Sequence, residues 1–268
     1  MVGHLLLRGM IVGLIAALLT FGFAKVYGEP PLDQAIGFEA QMDAARDTAA
    51  SGAGAGTGAA PPHAQGGTEP EIFSRVTQSG LGLFTGLMIY GAAFGGLFAL
   101  VFAFAYGRIG AAGPRGTAAM VALLGFVAVI LVPGLKYPAN PPSIGDPGTI
   151  VLRTQLYFGM IVLSVAGMVA AVWLAKGLRA QTGGWNAAIV AGAALLAGLT
   201  VVTSLMPGIN EVPDGFSASV LWRFRMAAWG LQAILWAGIG LGFGAVAERY
   251  LGAQGRSRAA GRVATNRA

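Results

Sequence analysis

The groups able to do chemistry in this sequence gather in three short polar segments, each stiffened by proline. The first is Gly28-Glu29-Pro30, followed by Asp33 and Glu39. The second is Lys136-Tyr137-Pro138-Ala139-Asn140-Pro141-Pro142. The third is Asn210-Glu211-Val212-Pro213-Asp214-Gly215-Phe216, leading into Leu221-Trp222-Arg223-Phe224-Arg225. Each Pro fixes φ and removes a donor, so such loops hold their side chains in few arrangements. Glu29, Asp33, Glu39, Glu211 and Asp214 supply oxygen ligands of the kind a divalent cation takes. Lys136, Arg223 and Arg225 are the cations expected to pair with these acids or to hold an anion. Tyr137, Asn140 and Asn210 add neutral polar groups. These residues form a candidate binding mouth. The bland alternative is that Pro ends helices, charges stay in water, and Trp222 and Tyr137 anchor an interface.

Other chemistry is largely excluded. The absence of Cys removes disulfides, thiolate metal sites and thiol catalysis. The Gly52–Gly58 run lacks a following Gly-Lys-Ser/Thr and is no phosphate loop. There is no H-E-x-x-H, nucleophile–base pair or cofactor fingerprint, so neither an enzyme nor a permanently bound cofactor is expected. Of the two His, His4 is set aside. His63, between Pro61-Pro62 and the acids Glu69 and Glu71, is the single candidate metal-ligating imidazole.

The elements that must position these groups follow from composition. Of 268 residues 55% are apolar and 10% charged, and mean hydropathy is +0.68. A soluble chain carries about 25% charged residues. Five runs of membrane-spanning length carry no charge: Leu81–Tyr106, Thr117–Leu135, Gln155–Ala175, Asn186–Met206 and Met226–Ala247. A sixth, Gly9–Val26, has only Lys25, near its end, where it can snorkel. No clear small-x-small cleavage site follows it, so a retained helix is expected. Lipid offers backbone groups no partners, so the spans are helices. The expected fold is an all-α polytopic membrane bundle of six transmembrane helices arranged as three hairpins. Residues 1–26 form the first span. Residues 27–79 form an external loop with an amphipathic helical start through Asp47 and a disordered 49–67. Residues 80–248 form a five-helix bundle, and 249–268 a basic cytoplasmic tail.

Ten basic residues fall on the side of the N-terminus: Arg8, Arg108, Arg115, Lys176, Arg179, Arg249, Arg256, Arg258, Arg262 and Arg267. Seven fall opposite: Lys25, Arg46, Arg75, Lys136, Arg153, Arg223 and Arg225. The positive-inside rule then places both termini in the cytoplasm and the polar segments outside. Net charge is +6 with a pI near 10.1, which in a membrane protein reads as cytoplasmic loops rather than nucleic-acid binding. An Arg precedes each second span of a hairpin, and Pro133-Gly134 echoes Pro207-Gly208, suggesting an internal repeat. Small-residue pairs Gly9/Gly13, Gly82/Gly86, Gly91/Gly95, Gly238/Gly242 and Gly240/Gly244 predict close helix packing within the bundle.

The run Phe23 to Pro30 with Ala35-Ile36-Gly37-Phe38-Glu39, the stretch Gly86 through Gly107, the segments Lys136 to Pro142 and Asn210 to Pro213, and Leu221 to Arg225 together resemble the CbtA family of probable cobalt transporter subunits. The likeness spans nearly the whole chain except Ala44–Gly67 and the tail after Arg249. It implies a bacterial inner-membrane subunit that imports Co2+, as substrate, for cobalamin synthesis, beside a small His-bearing membrane partner, CbtB. The family is usually described with five spans; the basic tail is the reason for six here. No Asp, Glu or His lies inside any run, whereas ion paths normally carry ionisable groups at membrane depth. Two readings follow: a metal-uptake subunit capturing Co2+ at the external Pro-rich loops, or a membrane accessory or assembly subunit that does not itself transport.

Overall fold

A computed structural model describes residues 2–52, 73–110, 112–142 and 144–265; the candidate ligand His63 lies outside them. The described residues contain helices and connecting turns and no strand. Helix α1 (Val2–Phe23) runs through a π-helical turn at Ala24–Gly28 into α2 (Glu29–Gly52). A single turn, α3 (Arg75–Thr77), leads by a second π turn (Gln78–Gly82) into α4 (Leu83–Ala105). Helix α5 (Pro114–Phe126) continues through a third (Val127–Leu131) into α6 (Val132–Lys136). Two long elements follow, α7 (Ile150–Leu205) and α8 (Ala218–Thr265).

The π turns at Ala24–Gly28 and Val127–Leu131 have a local cause. Pro30, Pro31 and Pro133 stand just beyond them and lack the N–H an α-helix needs. The widened turn closes instead with Glu29 N–H to Ala24 O and Val132 N–H to Val127 O, and the helix carries on past the prolines.

Among the described residues, five helices are long and apolar enough to cross a membrane. The fourth, Ile150–Leu205, has 56 residues, about 84 Å if straight, far more than a hydrocarbon core of about 30 Å requires. It is broken at Gly183, whose φ of 79° and ψ of 163° are not helical. Leu163, Gly167 and Leu174 before the break face Ala194, Leu195, Gly198 and Val202 after it, so the halves lie antiparallel. The two apolar runs Gln155–Ala175 and Asn186–Met206 fall on either side of that break.

The core is where α1 packs on α4 and α8, and α8 packs on α5. Phe98, Phe102, Ile239 and Phe243 fill it, with Phe102 and Phe243 edge to face at 5.0 Å. Glycines set the spacing. A Cβ on Gly13 would come 2.8 Å from the Gly91 carbonyl carbon, and one on Gly91 would come 2.6 Å from the Gly13 oxygen. Gly238 and Gly242 admit Ala16 and Val12 of α1, while Gly240 and Gly244 admit Ala122 and Ala118 of α5. Four of the five expected pairs therefore sit at helix contacts inside the bundle. Gly86, of the fifth, faces open space.

Helix α2 buries Pro31 and Ala35 and leaves most of its remaining surface exposed. The helix extends further than expected. Ala49 to Gly52, assigned to a disordered stretch, form the last residues of α2, and the following 53–72 lie outside the described residues.

Candidate functional site

The three Pro-rich segments meet at one end of the bundle, held by arginines that were not among the candidates. Arg75, on α3, donates to Glu29 Oε2 at 2.7 Å and to Asp33 Oδ1 at 2.9 Å. Glu29 and Asp33 are one helical turn apart on α2, so a single guanidinium reaches both. The Glu29 side chain is only 12% exposed, and its charge is compensated by this contact. Lys25 donates to Ser79 O at 3.1 Å, tying the end of α1 to the entry of α4.

A second clasp spans the ends of α7. The loop residue Glu211 accepts from Thr149 Oγ1 at 2.6 Å and from the Asp146 N–H at 3.0 Å, and its Oε2 lies 3.3 Å from Arg153 Nε. Arg153 lies over Gly145, whose φ of 126° and lack of a Cβ leave room for the guanidinium. Tyr137 donates its hydroxyl to Pro207 O at 2.9 Å, and burial raises its phenol above the ordinary value, so it remains a neutral donor. Arg225 donates to Asn140 Oδ1 at 2.8 Å and to Ala139 O at 3.3 Å. Arg225 thus joins the third segment to the second by two bonds, and Tyr137 ties the second to Pro207, just ahead of the third.

The expected pairing of acids with Lys136, Arg223 and Arg225 is therefore corrected. Arg225 is turned to the Asn140 loop, and Lys136 stands 5.9 Å from the Tyr137 ring centre. Arg75 and Arg153, each just before an apolar run, do the pairing instead. Their positions were visible in the sequence as an echo between hairpins; their partners were not, because the contacts cross between loops.

Glu39, Asp214, Asn210 and Arg223 remain exposed, with no ion pair or hydrogen bond to a described residue. Phe38 and Phe216 meet edge to face at 5.1 Å, which brings α2 against the third segment. Glu39 adjoins one ring in sequence and Asp214 lies two residues from the other. No group of three His, Cys, Asp or Glu able to hold a metal occurs among the described residues. Two acids so placed could begin to coordinate a divalent cation but could not complete its shell.

A family model described as probable cobalt transporter subunit (CbtA) matches residues 2–248. No curated protein and no solved structure matches the chain.

Proposed function

The chain belongs to the CbtA family of probable cobalt transporter subunits, and from that premise we propose that it captures Co2+ at the exposed acids of its looped end and passes it on together with a partner subunit. The observation that carries this reading is the distribution of guanidinium groups. Glu29, Asp33 and Glu211 are engaged by Arg75 and Arg153, which makes them structural. Glu39 and Asp214 are left with free carboxylates near one aromatic contact. The described residues supply no third ligand nearby, so the remaining ligands come from a His-bearing partner of the CbtB kind, imidazole and carboxylate being suitable donors for Co2+. In the same proposal the chain crosses the inner membrane six times, with the α7 break at Gly183 returning it to the side of both termini, and the imported metal serves cobalamin synthesis.

The test is radioactive Co2+ uptake by cells carrying the chain and its partner together, each alone, and the pair with Glu39→Gln/Asp214→Asn. Capture requires that the double variant take up far less metal at limiting Co2+ while its membrane level stays normal. The accessory reading is favoured by the lack of any Asp, Glu or His in the apolar runs. It predicts that the partner alone transports once assembled and that the double variant is silent.

A further inference from the structure

Arg223 is a cation the clasps leave unused. It lines a groove of about 450 Å³ whose other walls are Phe23, Val26, Tyr27, Pro30, Trp222 and Met226. The groove lies where α1 passes into α2 and α8 begins. Its floor is fixed by packing: Phe23 stacks on Tyr27 at 4.8 Å, and the missing Cβ of Gly230 admits the Phe23 ring, 2.6 Å from where that atom would stand. Tyr27 and Trp222 are 60% and 63% exposed at its rim. Aromatic rings of this kind sit at headgroup depth in membrane proteins.

The electrostatics of the groove are one-sided. Glu29, which adjoins the groove residue Pro30, is held by Arg75, and Lys25 is turned to the Ser79 carbonyl. Arg223 has no acid, carbonyl or ring partner among the described residues. A planar guanidinium with its donors free, above an apolar trough at the edge of a membrane span, matches an amphiphile with an anionic head and a hydrocarbon tail. A free inorganic anion would use the guanidinium but not the trough.

We propose that this groove binds one anionic phospholipid, with Arg223 donating to the phosphodiester and Phe23, Val26 and Met226 receiving the upper part of an acyl chain. The inference rests on the chain spanning a membrane but not on its carrying cobalt, so loss of the uptake proposal leaves it intact. Native mass spectrometry of the purified full chain, titrated with phosphatidylglycerol or with phosphatidylcholine of the same acyl chains, reads the site directly. The wild type should retain one phosphatidylglycerol at least tenfold more tightly than phosphatidylcholine. Arg223→Gln should abolish that preference and leave phosphatidylcholine binding unchanged, and Arg223→Lys should keep part of it. Trp222→Phe, which leaves the cation in place, should keep the preference and thereby controls for disturbed folding. Equal retention of the two lipids by the wild type, or an unchanged preference in Arg223→Gln, would overturn the proposal. So would displacement of the lipid by millimolar inorganic phosphate, which would make the site one for a free anion.

Discussion

Glu211 and Arg153 approach to 3.3 Å across the two ends of α7, with Glu211 also accepting from Thr149 and Asp146. The helix pair between those ends buries little else against the bundle: its outer part packs on α6 and on Val127–Leu131, where Ser164 donates to the Ala128 carbonyl. This clasp therefore positions a hairpin that packing alone holds loosely.

Removing the clasp should be felt as stability. Glu211→Ala strips an acceptor from Thr149 and Asp146 and leaves Arg153 partly buried without its counter-ion, at a cost of about 1–3 kcal/mol. Arg153→Ala should cost a similar amount. The double variant should cost clearly less than the two together, because the same contact is lost only once. Thermal unfolding in detergent measures all three, and strict additivity would show that the two residues act apart.

Glycine contacts give a second contrast. Gly13→Ala drives a methyl into the Gly91 backbone, which no side-chain rotation can relieve, and should destabilise by about 1–3 kcal/mol or more. Gly86→Ala meets open space and should be neutral or gain up to about 1 kcal/mol from helix propensity. Equal effects at the two positions would mean that α1 and α4 do not pack as described.

These two sites differ in how far the sequence alone could be read. Apolar length marks every long helix, and the four-residue spacing of glycines identifies faces such as Gly9/Gly13, because both signals are local. The break at Gly183 was legible only as a gap between two apolar runs, since a Gly-Gly pair does not announce its φ. The acids at the loops were found, and their partners were missed. Arg75 reaches Glu29, and Arg153 reaches Glu211, over separations along the chain that no local spacing encodes.

The proposed topology turns on the break at Gly183. The chain has no Cys, so a single introduced Cys is a unique reporter. Thr182→Cys and Gly110→Cys should be labelled by an impermeant maleimide from one face of the membrane, and Gly215→Cys from the other. Labelling of Thr182→Cys from the same face as Gly215→Cys would require α7 to cross differently and would remove the six-span arrangement.

The Arg75 cluster offers a test of the proposed division between structural and capturing acids. Arg75→Gln leaves Glu29, 12% exposed, without its counter-ion, and should cost about 1–3 kcal/mol. It should not lower Co2+ uptake per folded molecule, because Glu39 and Asp214 are untouched. A proportional loss of uptake, after correction for protein level, would place Glu29 or Asp33 on the metal path.

The aromatic contact between Phe38 and Phe216 provides the last test, since it asks whether capture depends on where the acids stand rather than on their charge. The rings meet edge to face at 5.1 Å, a pair worth about 0.5–1.5 kcal/mol beyond its buried area. Phe216→Ala leaves both carboxylates and the Glu211 clasp in place, but it frees the segment bearing Asp214 from α2. If Glu39 and Asp214 act as a pair, Phe216→Ala should raise the Co2+ concentration for half-maximal uptake several-fold with little change in the maximum. Phe216→Leu, which keeps an apolar contact, should restore much of the affinity. Two acids working independently predict a different pattern: Glu39→Gln and Asp214→Asn each weaken uptake, while Phe216→Ala has no effect on the half-saturating concentration. Uptake curves for the four variants at equal membrane level decide between them, and an unchanged curve in every variant would remove capture from this end of the molecule.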